Sequence, residues 1–249
     1  MSKMLYIATR WGMRSTEGTA RLTGLAYLGL AVTGVLGFML ARPRLYVAGD
    51  AAATLANLMA QEALARGVVA LELGIVLTQA LAALLFFRLF RPVSGFAAGA
   101  VAAFGLVNAA MILTSAGLLA TAAHVALDAP LPTTADTATT VQLLYVASGY
   151  MWDVAALFFG LWLIPMGWLA HRSRWMPRVL GWTVAAGGCG YVLSAFLGYL
   201  VPDTALAKEI LTVPAAIGEF WMIGYLLVRG VSPRATPEDA DHARAGVDG

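Results

Sequence analysis

Six runs of this chain are each long and apolar enough to cross a bilayer, and that fact limits the fold more than any other. They cover roughly residues 22–41, 67–87, 95–123, 141–170, 179–201 and 210–228. A hydrocarbon core of about 30 Å takes roughly 20 helical residues. The runs are continuously apolar and lack the alternation of barrel strands. Each is therefore expected to be a helix that satisfies its own backbone hydrogen bonds. Composition agrees, because 60% of the 249 residues are hydrophobic and only 12% are charged. The mean hydropathy is +0.76. Soluble domains carry about 25% charged residues, so half that figure leaves most of this exterior for lipid. The first run exceeds a signal-peptide core and no A-x-A site follows it, so it reads as a retained span.

Basic residues then set the orientation. Lys3, Arg10, Arg14, Arg21, Arg88, Arg91, Arg172, Arg174, Arg178, Arg229, Arg234 and Arg244 fall on one side of the alternating spans. Only Arg42, Arg44, Arg66 and Lys208 fall on the other. The positive-inside rule puts the first set, and both termini, in the cytoplasm. The expected organisation is an all-α integral membrane protein, a six-helix bundle with N-in/C-in topology. Residues 1–21 form a cytoplasmic segment, 22–231 the membrane domain, and 232–249 a disordered cytoplasmic tail rich in Pro and acids. A bacterial inner membrane, crossed several times, is the expected location. The net charge of +2 and the absence of a basic, aromatic-interleaved stripe argue against nucleic acid. A single cysteine, Cys189, excludes an intrachain disulfide and a cysteine metal cluster.

The segment 42–66 holds structure of its own. Asp50 is placed to cap a helix starting at Ala51. Leu55, Leu58, Met59 and Leu64 share part of its circumference, with Thr54, Asn57 and Gln61 on a polar side. Glu62 and Arg66 stand at i,i+4 in the favourable order for an ion pair. This predicts an amphipathic outer helix between spans one and two. It is either a plain connector or a lid, with Glu62 and Arg66 on its edge.

Three acids lie inside the spans: Glu72, Asp153 and Glu219. A charge at the helix centre costs about 2.5–3.5 kcal/mol on insertion scales and usually faces the bundle interior. Counting 1.5 Å per residue from the outer side puts them ~8, ~18 and ~14 Å deep respectively. No lysine or arginine falls within the predicted spans, so without a cation each acid favours its neutral form. Gln79 shares a helix face with Glu72. Gln142, Tyr145, Gly149 and Asp153 form one stripe, with Tyr150 and Trp152 beside it. Asn108 sits at mid-depth in span three, and Trp221 follows Glu219. Glu72, Asp153 and Glu219 are thus candidate catalytic acids, and Asn108, Tyr145, Tyr150, Trp152, Trp221 and Gln79 candidate binding residues. The simpler account is interhelical hydrogen bonding, worth only about 0.6 kcal/mol on average per bond. Gly95 and Gly99 fit the small-xxx-small spacing of close helix contact. Metal-ligand spacing is missing, so no metal or cofactor is expected.

Several local patterns also carry a resemblance. They are Arg21-Leu22-Thr23-Gly24 with Tyr27-Leu28, Gly49-Asp50-Ala51-Ala52-Ala53-Thr54 with Glu62, and Gly149-Tyr150 with Asp153 and Phe158-Phe159-Gly160-Leu161. Pro177-Arg178-Val179-Leu180-Gly181, Gly190-Tyr191, Pro214-Ala215-Ala216-Ile217-Gly218-Glu219 and Leu227-Val228-Arg229-Gly230-Val231 complete them. Together they resemble the bacterial domain-of-unknown-function 4386 family over residues 21–231, with little of the pattern in span three. The resemblance implies the multi-pass fold and no particular chemistry.

Three functions remain open on sequence. One is acid catalysis on a lipophilic small molecule, such as isoprenoid cyclisation or isomerisation, where a neutral acid donates a proton and aromatic faces stabilise a carbocation. Another is a proton- or cation-coupled transporter using the acids as relays, although no inverted repeat is visible. The third is a non-catalytic lipid-binding membrane subunit. Membrane lipids and a lipophilic small molecule are the expected partners, and the oligomeric state is left open. A reporter fused after Arg229 should stay cytoplasmic, and a cysteine in loop 130–139 should react with an impermeant thiol reagent. Labelling of that loop only after permeabilisation overturns the orientation.

Overall fold

The computed structural model describes residues 2–128, 136–201 and 203–231, with side chains from residue 17 onward. The tail 232–249, expected to be disordered, and most of loop 130–139 lie outside those residues. The described chain is helical, with no strand. Its elements are α1 (Ser2–Gly34), π-helical turns over Val35–Ala41, a 3-10 turn (Arg42–Arg44), α2 (Ala51–Ala60), α3 (Glu62–Phe90), α4 (Gly95–Leu127), α5 (Thr137–Ser173), α6 (Arg178–Leu200) and α7 (Ala205–Val228).

Local chemistry sets the helix ends. The Asp50 carboxylate accepts from Ala53 N at 2.8 Å and opens α2. Ser94 and Asp136 cap α4 and α5 in the same way. α5 stops where Arg174 turns left-handed at φ 57°, and Pro177 precedes α6. Gln61 breaks the path between α2 and α3, so Glu62 and Arg66 belong to the second span rather than to the outer helix.

Six helical stretches are long and apolar enough to span: Glu17–Arg44, Glu62–Phe90, Gly95–Leu127, Thr137–Ser173, Arg178–Leu200 and Ala205–Val228. No more than 44% of any span's apolar stretch is buried inside the protein. The remainder points outward, where only hydrocarbon would solvate it. Alternation of the spans puts the α3–α4 turn, the α5–α6 turn and the end of α7 at one end of the bundle, here called the basic end. The 3-10 turn, α2 and Asp128 occupy the other, the α2 end.

Helix α2 is seated by its polar residues. Thr54, read as part of a watery face, is fully buried and bonds the backbone of Val47 and Asp50. Asn57 reaches the Leu45 carbonyl at 3.3 Å. These side chains fasten α2 to the preceding turn, while Leu58 fills the space beneath.

Helices α5, α6 and α7 approach through glycine. A Cβ at Gly160 would lie 2.5 Å from the Gly188 carbonyl and 2.8 Å from Val192 N. Gly167 and Gly181 face one another in the same manner. Gly95 and Gly99, expected to be a contact face, meet nothing within 4 Å; their spacing fits the motif, but they point away from every neighbouring helix. Gly160→Val should therefore destabilise the protein by about 1–3 kcal/mol or more, since backbone cannot yield as a side chain can. Gly99→Ala should stay within about 0.5 kcal/mol of the parent. Melting temperatures in detergent check both.

Candidate functional site

The interruption of the first span comes first, because it determines where a charge goes. The Arg42 backbone N–H bonds the Gly37 carbonyl, an i→i−5 pairing that widens the helix by one residue per turn. Arg42 thereby points into the bundle and is only 7% exposed. Its Nη2 donates to the Tyr145 carbonyl at 2.9 Å and its Nη1 to Ser148 Oγ at 3.0 Å. Nη1 also lies 3.7 Å from Glu72 Oε1. That carboxylate oxygen accepts from Ser115 Oγ at 3.2 Å and Trp152 Nε1 at 3.0 Å, and the two serine hydroxyls meet at 2.7 Å. The rings of Phe38 and Tyr145 lie 5.5 and 5.8 Å from the guanidinium carbon.

Asp153 has a cation too, Lys208 Nζ at 3.1 Å. The expectation that these acids lack basic partners is thus overturned for two of the three. Arg42 and Lys208 flank the most hydropathic stretches, yet both helices continue through them and both side chains reach inward. Glu219 differs. Among the described residues its polar partner is Tyr27, whose hydroxyl donates to Oε1 at 2.6 Å. Tyr27 is fixed edge-on against Phe86 and Trp162, each with centroids at 5.4 Å.

A cavity of about 460 Å³ lies between these groups. Asp153, Lys208, Tyr27, Glu219, Asn108 and Gln79 supply much of its polar surface, with Ser194, Glu209 and Thr212. Leu30, Ile75, Ile112, Phe159 and Ile223 supply much of the rest. Gln79 is wholly buried, and both its amide atoms lack a hydrogen-bond partner. Asn108 is tied by its Nδ2 to the Ala155 carbonyl at 2.9 Å. Helices α1 and α7 meet at Gly24 against Leu226 and Leu227, and again at the Tyr27–Glu219 bond. On the first span Phe38 and Met39, and on α7 Phe220, line the cavity while 40%, 66% and 58% exposed. The cavity therefore opens sideways between α1 and α7.

The sequence-predicted residues divide accordingly. Asp153, Glu219, Asn108, Trp152 and Gln79 share the cavity. Glu72 sits behind Trp152 and touches it through the indole N–H. Tyr145 is buried against Tyr46 in a separate cluster, with stacked rings 5.7 Å apart. Tyr150 is 54% exposed and faces outward, one helical step off the stripe. Trp221 lines a groove at the basic end. Glu62 and Arg66 do not line the cavity; Arg66 bonds Glu62 at 2.9 Å and Asp128 at 2.7 Å on the exterior. The Arg66 hydrogen bond holds the Asp128 carboxyl below its ordinary range. Residues missed from sequence are Tyr27, Tyr191, Phe159, Lys208 and the hub of Arg42, Ser115 and Ser148. Ser115 and Ser148 stand on different helices, and no helical-face rule links them.

Removing one member of the buried pair should be far worse than removing both. Arg42→Met strands the Glu72 carboxylate and should cost about 3–5 kcal/mol. The double variant Arg42→Met, Glu72→Gln should recover most of that loss. A double-mutant cycle on detergent melting temperatures measures the coupling, and additive losses would contradict the pair.

The family model for a domain of unknown function (DUF4386) matches residues 22–230. No curated protein and no solved structure matches.

Proposed function

This chain belongs to the DUF4386 family, and we propose that its cavity binds an amphiphilic small molecule taken from the bilayer between α1 and α7. Gln79 carries the reading: a wholly buried amide without a partner, in an otherwise largely apolar cavity, is costly unless a ligand group completes it. Its carbonyl accepts and its NH2 donates, so a hydroxyl or carbonyl head suits it. The volume of about 460 Å³ lies within the ordinary range for small-molecule sites, roughly 300–1,000 Å³. An isoprenoid-sized lipophile with one polar head fits both requirements. In this reading the basic end faces the cytoplasm of a bacterial cell, following the excess of arginine there.

A catalytic role rests on Glu219. It is the acid of the three without a basic neighbour among the described residues, and Tyr27 would hold the carboxylate left after proton donation. Trp152, Phe159 and Tyr191 offer ring faces to a developing cation. Glu72 and Asp153, each beside a cation, are better suited to position the site than to supply the proton.

Solvent extraction of the purified protein followed by mass spectrometry should recover a copurifying lipophile. Ala156→Phe, which fills the cavity, should lower its occupancy at least tenfold while the melting temperature holds. An unchanged lipid complement in the filled variant sinks the binding reading. Glu219→Gln should keep folding and binding but abolish any conversion of the recovered lipophile or of supplied isoprenoids, because an amide donates hydrogen bonds but no proton on a useful timescale. Full turnover in a well-folded Glu219→Gln, Asp153→Asn variant removes the catalytic reading and leaves a binding or transport role.

A further inference from the structure

A second recess, of about 690 Å³, lies at the basic end and shares no lining residue with the lipophile cavity. It is formed where the α5–α6 turn meets the end of α7, and Arg174, Arg178 and Arg229 line it with Trp175, Trp221 and Tyr225. We propose that this groove is a binding site for a phosphate group.

The three arginines are exposed, and none has a carboxylate partner among the described residues. Arg42 and Arg66 are in ion pairs and Arg172 lies over the Trp168 ring at 5.6 Å, while Arg21, Arg44, Arg88 and Arg91 also have no ion pair among the described residues but do not line this recess. Three guanidinium groups around one recess repel each other and gain most from a shared anion. Phosphate suits them because its oxygens accept paired N–H donors from the planar fork. Arg178 also begins α6, whose N-terminus has Pro177 before it and no side-chain cap. Its first N–H groups and the helix dipole add to the attraction for an anion.

The groove is built before any ligand arrives. The Trp175 ring stacks on Phe90 with centroids 6.0 Å apart and planes 8° from parallel. Its carbonyl accepts from Tyr225 Oη at 2.8 Å, which ties the turn to α7. Its backbone N–H is held by Ser173 Oγ at 3.3 Å. Arg174, between these anchors, keeps its left-handed backbone at φ 57°, a conformation uncommon for a side-chain-bearing residue. The anchored turn therefore fixes the backbone from which Arg174 extends. Basic pockets between helices at a membrane surface suit anionic lipid headgroups, and a soluble phosphate would offer the same oxygens.

Two arms distinguish the sources. In the first, full-length protein is delipidated in detergent and given phosphatidylglycerol or phosphatidylcholine, and native mass spectrometry reads the retained lipid. In the second, protein in phosphatidylcholine nanodiscs is titrated calorimetrically with inorganic phosphate. Wild type should retain phosphatidylglycerol or bind phosphate, and Arg174→Gln, Arg178→Gln, Arg229→Gln should weaken that binding roughly a hundredfold, at about one kcal/mol per arginine. Arg88→Gln, Arg91→Gln, at the same end but outside the groove, should leave it within about threefold of the parent. Retention of phosphatidylglycerol alone assigns a lipid headgroup, and calorimetric phosphate binding assigns a soluble one. Equal weakening in both variants, or no binding in either arm, overturns the site. Lipophile occupancy of the other cavity is read in the same preparations before delipidation. Its persistence in the triple variant separates a failure here from a failure there.

Discussion

The guanidinium of Arg42 has no water to turn to, and much of the arrangement of the α2 end of the bundle follows from that. Hydrocarbon leaves a buried charge stable only where the protein supplies its counter-ion and its acceptors together. Arg42 finds the Tyr145 carbonyl and Ser148 on α5 and Glu72 on α3, and Glu72 in turn holds Ser115 on α4. Four spans are thereby keyed to one point. Apolar helix faces in lipid have no hydrophobic drive to choose one register over another. A network of this kind supplies the choice. It also orients Trp152, whose indole N–H is used by Glu72 and whose ring forms cavity wall.

The opposite side of the bundle is organised by the absence of side chains. Glycines at Gly160, Gly167, Gly181 and Gly188 let α5 and α6 approach with their backbones nearly touching. That interface is close, whereas Phe38 and Met39 of the first span and Phe220 of α7 line the cavity while exposed. The cavity lies against the first span and α7.

Much of this was legible in the sequence, for identifiable reasons. The six spans were readable because bilayer thickness imposes a length and lipid imposes an apolar exterior. Asp50 as a cap and Glu62 with Arg66 as a pair follow from spacing within one helix. What failed to appear depended on contacts between helices. Arg42 and Lys208 lay just beyond the apolar windows, where a hydropathy average assigns a charge to water; helices continuing past the window turned both inward. Trp221 was grouped with Glu219, two residues and about 200° around the helix away, and Tyr150 with the stripe through Gly149, one residue and about 100° away. Gln79 was found because a seven-residue spacing keeps a face, and Tyr27 entered only as part of a family pattern because its partner stands on another helix.

The π-helical turns of the first span carry a consequence for the chain's arithmetic. Each such turn takes in a residue that an ordinary helix would not require, so the segments before and after it are out of angular phase. The residues that meet α7, Gly24 and Tyr27, lie before the irregularity, and the residue that meets Glu72 lies after it. A version of this span lacking one residue between Val35 and Phe38 would be a more regular helix and equally greasy. It could still aim either set of contacts correctly, but hardly both. The surplus residue acts as a phase shifter, letting one straight element serve two neighbours that no uniform helix would face at once.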